Sequence, residues 1–304
     1  MDILTHALIG SATAAGFLPA YPGFACGVAL GNVLPDLDSL SRLGGKRAFL
    51  RFHQTVSHSL AAIASVAVLA FPFFAAGLPI HGQAFLGLAV GMAMHVATDL
   101  TNSYGVRLLW PFHGRRLACD WIFFIDAPIL ALSILSLGVA YLVGERLKLW
   151  PWISTCYLGL FAAYVWVRWR IAREARKACH QRFPNAERVV AIPTTWSVFK
   201  FLVCADFGDR CITCQLNVRS GRISNEQEFP IFDGVLPDSV LALSEWRTMR
   251  DLSPYYHAVE FIHDDNAAIL VCRDLRFRNF GVHYGRLTCR VSVGNDVTFT
   301  NWEI

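Results

Sequence analysis

A histidine and an aspartate four residues apart, His95 and Asp99, close a long apolar run and are followed at once by Asn102, Ser103, Tyr104 and Gly105. On a helix that spacing puts both side chains on one face, one turn apart. A neutral imidazole nitrogen beside a carboxylate oxygen suits a divalent cation of the zinc or manganese kind. A buried His–Asp hydrogen bond between helices uses the same spacing, and the pair alone favours that plainer use. The rest of the ionisable set changes the balance: His6, Asp36, Asp38, His53, His58, Asp120 and Asp126.

The elements that would position them are apolar. The chain has 304 residues, 54% hydrophobic and 16% charged, with a mean hydropathy of +0.40, which points to a membrane protein. A net charge of +4 gives no indication of a nucleic-acid partner. The start, Met1 to His6, has no basic run and is expected to be retained rather than cleaved as a signal. Residues 7–20 and 23–34 are short apolar segments rich in Ala and Gly, divided by Tyr21-Pro22, and are expected to form a tight pair packed through small residues or to be re-entrant. Residues 60–78, 84–100, 122–143 and 150–167 read as spans, since a crossing takes about 20 apolar residues.

Lysine and arginine set the orientation. Arg42, Lys46, Arg47 and Arg51 lie in one loop, Arg107, Arg115 and Arg116 in another, and Arg168, Arg170, Arg173, Arg176, Lys177 and Arg182 follow the last span. That bias puts both termini in the cytoplasm, and with them the ends of the helices that carry the His and Asp residues. From about Pro184 the runs 189–192, 198–204, 212–218, 268–273 and 287–293 are β-prone. Ser220-Gly221 and Gly294-Asn295-Asp296 read as turns, and 238–249 as a helix. The expected fold is an α-helical membrane domain, with four clear spans plus two short N-terminal helices, followed by a smaller β-rich soluble domain. Its divisions are 1–167, a basic juxtamembrane helix at 168–183 that favours anionic lipid headgroups, and 184–304.

Ionisable groups near a bilayer are expensive unless paired, metal-bound or wet. Four histidines and five carboxylates gathered at one face therefore predict a polynuclear metal site, with Arg51, or Arg107 or Arg115, neutralising an anionic substrate. Competing signatures are missing. There is no H-E-x-x-H and no G-x-S-x-G, and Gly44-Gly45-Lys46 lacks the upstream glycine of a P-loop. Among nine cysteines, Cys211 and Cys214 form a single C-x-x-C without a second pair, which is weak evidence for zinc.

Taken in order, Met1-Asp2 with Thr5-His6, Leu34-Pro35-Asp36 with Asp38, His53 with Ser57-His58-Ser59, His95 and Asp99 with Tyr104-Gly105, and Leu109-Trp110-Pro111-Phe112 resemble the YdjM/YbcI-type family of bacterial inner-membrane proteins. That family is described as membrane-bound metal-dependent hydrolases. The resemblance covers roughly the first 130 to 170 residues. It implies a distant likeness to the all-helical zinc phospholipase C and P1 nuclease group, which cuts phosphoesters with a cluster of zinc ions. Where the family often has Arg-Gly after the first loop histidine, this chain has Gln54-Thr55, and Arg51 is the expected substitute for the missing arginine.

The expectation is metal-dependent hydrolysis, at the cytoplasmic face, of an ester or phosphoester bond in a lipid or amphiphile. Zinc is the expected cation, with manganese the alternative. His6, Asp36, Asp38, His58, His95 and Asp99 are assigned as ligands, His53 and Asp126 as supporting or additional ligands, and Asp120 as general base. A non-enzymatic anchor with a structural metal and a partner-binding β domain is the first rival. An ion-coupled transporter trails, because the polar residues cluster at one end of the spans and no repeat is visible.

Overall fold

A computed structural model of the protein describes residues 1–264, 267–276, 285–292, 294 and 296–303. The chain divides into two compact units, Met1–Arg170 and Ile171–Ile304.

In the first unit, α1 (Ile3–Ala14) starts where the Asp2 carboxylate accepts from the Leu4 and Thr5 amides, satisfying donors that the first helical turn leaves unpaired. Helix α2 (Pro22–Gly31) opens on Pro22, whose missing N–H is no loss in a first turn. A 3-10 segment, Leu34–Gly44, follows and ends at Gly45, where φ is +94°. Next come α3 (Lys46–Phe52), α4 (Leu60–Val68), capped by Ser59, and α5 (Ala70–Ala75). The long α6 (Pro79–Leu100) leads into a loop, and then α7 (Ala127–Val139), capped by Asp126, runs on as a π-helix through Gly144. A single turn, α8 (Glu145–Leu147), precedes α9 (Trp150–Arg182), one unbroken helix that holds both the last apolar stretch and the basic residues expected as a separate segment.

The expected four spans are corrected to two. Among the described residues only Pro79–Leu100 and Ala127–Gly144 are long and apolar enough to cross a membrane. The stretch at 60–78 is broken into α4 and α5, because Pro72 has no N–H to give the Val68 carbonyl. The first half of α9 falls short because Trp150, Trp152, Tyr157, Tyr164 and Trp166 dilute its aliphatic residues.

Small residues pack the two N-terminal helices together, Ala14 of α1 against Ala25 and Val28 of α2, and a row of glycines also brings α2 against α6. A Cβ on Gly27 would lie 2.2 Å from the Ala84 carbonyl oxygen, and one on Gly31 2.2 Å from that of Leu88. In return, one on Gly87 would lie 2.2 Å from the Phe24 oxygen and one on Gly91 2.4 Å from that of Val28. This backbone-to-backbone approach is open only to glycine. It brings the end of α2, and hence Asn32 and Asp36, against His95.

The second unit holds two four-stranded antiparallel sheets, each with its strands in chain order. The first is β1 (Arg188–Pro193), β2 (Lys200–Asp206), β3 (Arg210–Asn217) and β4 (Arg222–Pro230). The second is β5 (Tyr256–Asp264), β6 (Ala267–Asp274), β7 (Arg286–Ser292) and β8 (Val297–Glu303). The helix expected at 238–249 is two, α10 (Asp238–Leu241) and α11 (Ser244–Leu252). The turn at Ser220-Gly221 joins β3 to β4, with Gly221 at φ +67°. Of the other expected turn, Asn295 lies outside the described residues, as does Val293 of the expected last run. Cys211 and Cys214 are three apart on β3, so they point to opposite faces and cannot chelate together.

Candidate metal centre

Each residue of the cluster is held by groups behind it. His58 ends the loop between α3 and α4, just before the Ser59 cap. Its Nδ1 faces Ser57 Oγ at 3.0 Å and Asp38 Oδ2 at 3.3 Å. A carboxylate only accepts, so Nδ1 carries the hydrogen and Nε2 presents a lone pair. His95 is fixed the same way: its Nδ1 donates to the Asn32 carbonyl at 2.8 Å, leaving Nε2 bare. Those two bare nitrogens face each other at 3.0 Å.

Carboxylate oxygens complete the set. Asp36 Oδ1 is 3.8 Å from His58 Nε2 and 3.6 Å from His95 Nε2. Asp99 Oδ2 is 3.4 and 3.5 Å from the same two atoms. The other oxygen, Asp99 Oδ1, takes His6 Nε2 at 3.1 Å, Asn102 Nδ2 at 3.1 Å and the Met1 amine, while Oδ2 has no hydrogen bond although it is buried. The His6 ring stacks on that of His95, with centroids 3.6 Å apart.

Asp36, His58, His95 and Asp99 are all buried, and one ligand atom from each lies within 4.8 Å of the others. Four acceptors converge with no donor among them, which is repulsive unless a cation or a proton sits at the centre. The five separations given above, 3.0 to 3.8 Å, bracket the edge of a tetrahedron with metal–ligand distances near 2.0–2.1 Å, about 3.3 Å. The group could therefore hold a metal ion, and the orphaned Asp99 oxygen is the atom that calls for one.

Asp38 stands outside the four. At three residues per turn in the 3-10 segment, side chains two apart point in different directions, so Asp36 enters the cluster while Asp38 turns to the loop. It takes His53 Nδ1 at 2.5 Å, the Gln54 amide at 3.0 Å and Ser57 Oγ at 2.6 Å, besides facing His58. Asp38 and His53 are partly exposed, so this is the side on which the cluster meets the surface. Burial alone would push the carboxyls of Asp36 and Asp38 up, but His58 at the first, and His53 and then His58 at the second, outweigh it and hold both below the usual carboxylate range. Burial would likewise pull His58 down, and Asp36 and Asp38 outweigh it, holding the imidazole above its ordinary 6.5.

A carboxylate behind a ligating imidazole orients it and raises its basicity, and loss of such a partner typically costs 10–100-fold in metal affinity. Asp38→Asn should therefore weaken zinc binding by about that factor. Titration against a competing chelator measures it, with stoichiometry at saturation unchanged.

The remaining sequence candidates are not among the four converging residues. Asp126 caps α7 through the Ile129 amide and accepts from Tyr164 Oη at 2.8 and 3.0 Å. Asp120, at φ +55°, is joined through its amide to the Asn102 carbonyl at 3.4 Å. Arg51 is exposed at the end of α3, its guanidinium 5.9 Å from the Phe52 ring. Arg116 clamps the site loop, donating to the His53 carbonyl and Gln54 Oε1 at 3.1 Å and the Gly105 carbonyl at 3.2 Å. Asn32, Ser57, Asn102, Arg116 and the Met1 amine were not legible as site groups. Asn32 and Met1 act through backbone atoms, which leave no residue-type signal. Along the α6–α9 side, Thr98, Thr101, Trp121, Phe161, Trp166 and Trp169 line an apolar groove of about 570 Å³. Thr98 Oγ1 reaches His6 Nδ1 at 3.4 Å.

A helical unit with a buried His and Asp cluster and two membrane-length helices is the class that these features define. The chain belongs to the YdjM inner membrane protein family, whose match covers residues 1–175. It is similar to an uncharacterized protein, YfhP, of Bacillus subtilis (strain 168), at 24% identity over 207 residues, 64% of this chain and 62% of that protein. No solved structure matches it.

Proposed function

We propose that this protein is a metal-dependent hydrolase of the inner membrane that cleaves an ester or phosphoester bond in a lipid or amphiphile at the cytoplasmic face. The observation that carries the reading is the convergence of two bare imidazole nitrogens and two carboxylate oxygens on one buried point. Zinc suits that donor set best, with manganese the alternative. The cation would supply Lewis acidity to the substrate oxygen and to the attacking water. The chain's own part is to hold and aim: Asp38 orients His58, the Asn32 carbonyl orients His95, and His6 with Asn102 leaves Asp99 one oxygen to offer. We assign proton transfer to Asp120 and attraction of an anionic substrate to Arg51. The tryptophan-lined groove beside Thr98 supports an amphiphilic substrate. Its apolar α-helices and the basic loops support a multi-pass arrangement with both termini cytoplasmic, α4–α5 and the first half of α9 entering the bilayer as incomplete or obliquely placed segments.

One observation favours a second reading. Four protein donors already complete a tetrahedron, as in structural zinc sites, whereas catalytic sites keep a position open. The metal would then hold α6 to the 3-10 segment and the β unit would bind a partner.

Turnover separates the two. Purified protein in lipid–detergent micelles is incubated with bis(p-nitrophenyl) phosphate and with short-chain phospholipid. The hydrolase reading expects product release that chelator abolishes and added zinc or manganese restores. Tightly bound metal without turnover on either substrate supports the structural reading. In both, protons compete with the cation. Because His58 is held above 6.5, cation uptake must displace its proton, so apparent zinc affinity should climb as pH rises through and beyond that value. Zinc titrations at a series of pH values check the sign, and affinity independent of pH would contradict it.

A further inference from the structure

The 3-10 segment that brings Asp36 to the cluster has a second face. Side chains three apart on such a helix eclipse one another. Here that row is Leu34, Leu37, Leu40 and Leu43, with exposure rising along it from 39% through 45% and 61% to 90%. Pro35 and Asp36 are turned inward and buried. Four leucines aligned outward on one short element form an apolar patch of the kind that marks an interaction surface. Within residues 34–52 the exposed charge is of one sign. From 34 to 52 the acids are Asp36, held in the cluster, and Asp38, held by His53 and Ser57. Arg42, Lys46, Arg47 and Arg51 are exposed.

Outward leucines with flanking cations are the pattern of an element lying in the interface of an anionic bilayer. We propose that the leucine row of Leu34–Gly44 inserts into the anionic cytoplasmic leaflet, with Arg42, Lys46, Arg47 and Arg51 on lipid phosphates, and so seats the metal centre at headgroup depth. A second copy of this chain is the less favoured occupant, since it would set one cationic surface against another. The inference rests on the inner-membrane placement and not on hydrolysis. It accounts for how a lipid phosphoester could meet the buried cluster without leaving the membrane: ligand and anchor are opposite faces of one short helix.

The test is label depth in the full chain. Nitroxide is placed singly at Leu37→Cys, Leu40→Cys, Leu43→Cys and, as a control on another face, Arg42→Cys, with Cys26, Cys119 and Cys156 replaced by serine. The protein is reconstituted in phosphatidylglycerol–phosphatidylcholine vesicles. Collision with oxygen, which concentrates in the bilayer, is compared with collision with a water-soluble nickel chelate. The expected result is oxygen exceeding nickel several-fold at the three leucine positions and the reverse at Arg42. In vesicles of phosphatidylcholine alone the leucine labels should move toward water. Nickel access at the leucine positions as high as at Arg42 would overturn the proposal, and so would shielding from both reagents, which would mean a protein contact. Bound metal per chain, measured on each labelled variant, reports folding, and turnover is read separately, so loss of the hydrolase reading would leave this result standing.

Discussion

Purified from zinc-supplemented medium, the wild-type protein should carry bound zinc and the His95→Ala, Asp99→Ala double variant none. Structural zinc contributes roughly 10–16 kcal/mol through four ligands, so each ligand accounts for about 3 kcal/mol, on the order of a hundredfold in affinity. Removing two of the four members, His95 and Asp99, should cost about ten-thousandfold and empty the site at ordinary zinc levels. The loss should be specific. Asp99→Asn alone keeps the size of the side chain and an acceptor for His6, yet it removes the charge that answers the cation. It should lower metal content while the circular dichroism of both units stays that of the wild type. A double variant that retains a full complement of zinc would place the metal elsewhere.

Gly87→Val should be among the most disruptive single changes outside the cluster itself. Overpacking a core usually costs about 1–3 kcal/mol, because a neighbouring side chain can shift. At Gly87 the obstacle is the Phe24 carbonyl, 2.2 Å from where a Cβ would stand, and backbone cannot yield without parting the helices. Moving α2 away from α6 carries Asn32 off His95 and Asp36 out of the cluster, so stability and metal should fail together. Limited proteolysis with metal analysis reads both. Gly159→Val, on α9 with nothing within 4 Å of the added carbon, is the matched control and should leave both unchanged.

Much of the site could be read from residue types. His6, Asp36, His58 and the His95–Asp99 pair are distant from one another in the chain, and the structure does bring them together. Which of them present a bare atom to a cation was not readable, because that depends on what lies behind each ring. Asp38 looked equivalent to Asp36 until the three-residue turn separated them. Asp126 shares their type and apolar setting but is held by Tyr164, 38 residues away. Helix content was legible and span length was not. Pro72 breaks one apolar run, and the glycine row of α2 has its partner on α6, more than 50 residues on, a pairing that composition does not encode. In the second unit β4, β5 and β8 were missed: β4 and β8 are edge strands with mostly exposed, polar residues, and in β5 His257, Glu260, His263 and Asp264 interrupt the apolar signal by which strands are found.

Whether two histidines and two aspartates bind a divalent cation is decided by the neighbours of the metal itself. X-ray absorption at the zinc edge of the purified, zinc-loaded protein tests it directly. The account predicts nitrogen and oxygen neighbours at about 2.0–2.1 Å, two of them imidazole by their outer-shell scattering, and no sulfur. Sulfur at about 2.3 Å would put the metal on cysteines instead, and protein that takes up no cation at all would leave the four converging acceptors to a shared proton and contradict this reading.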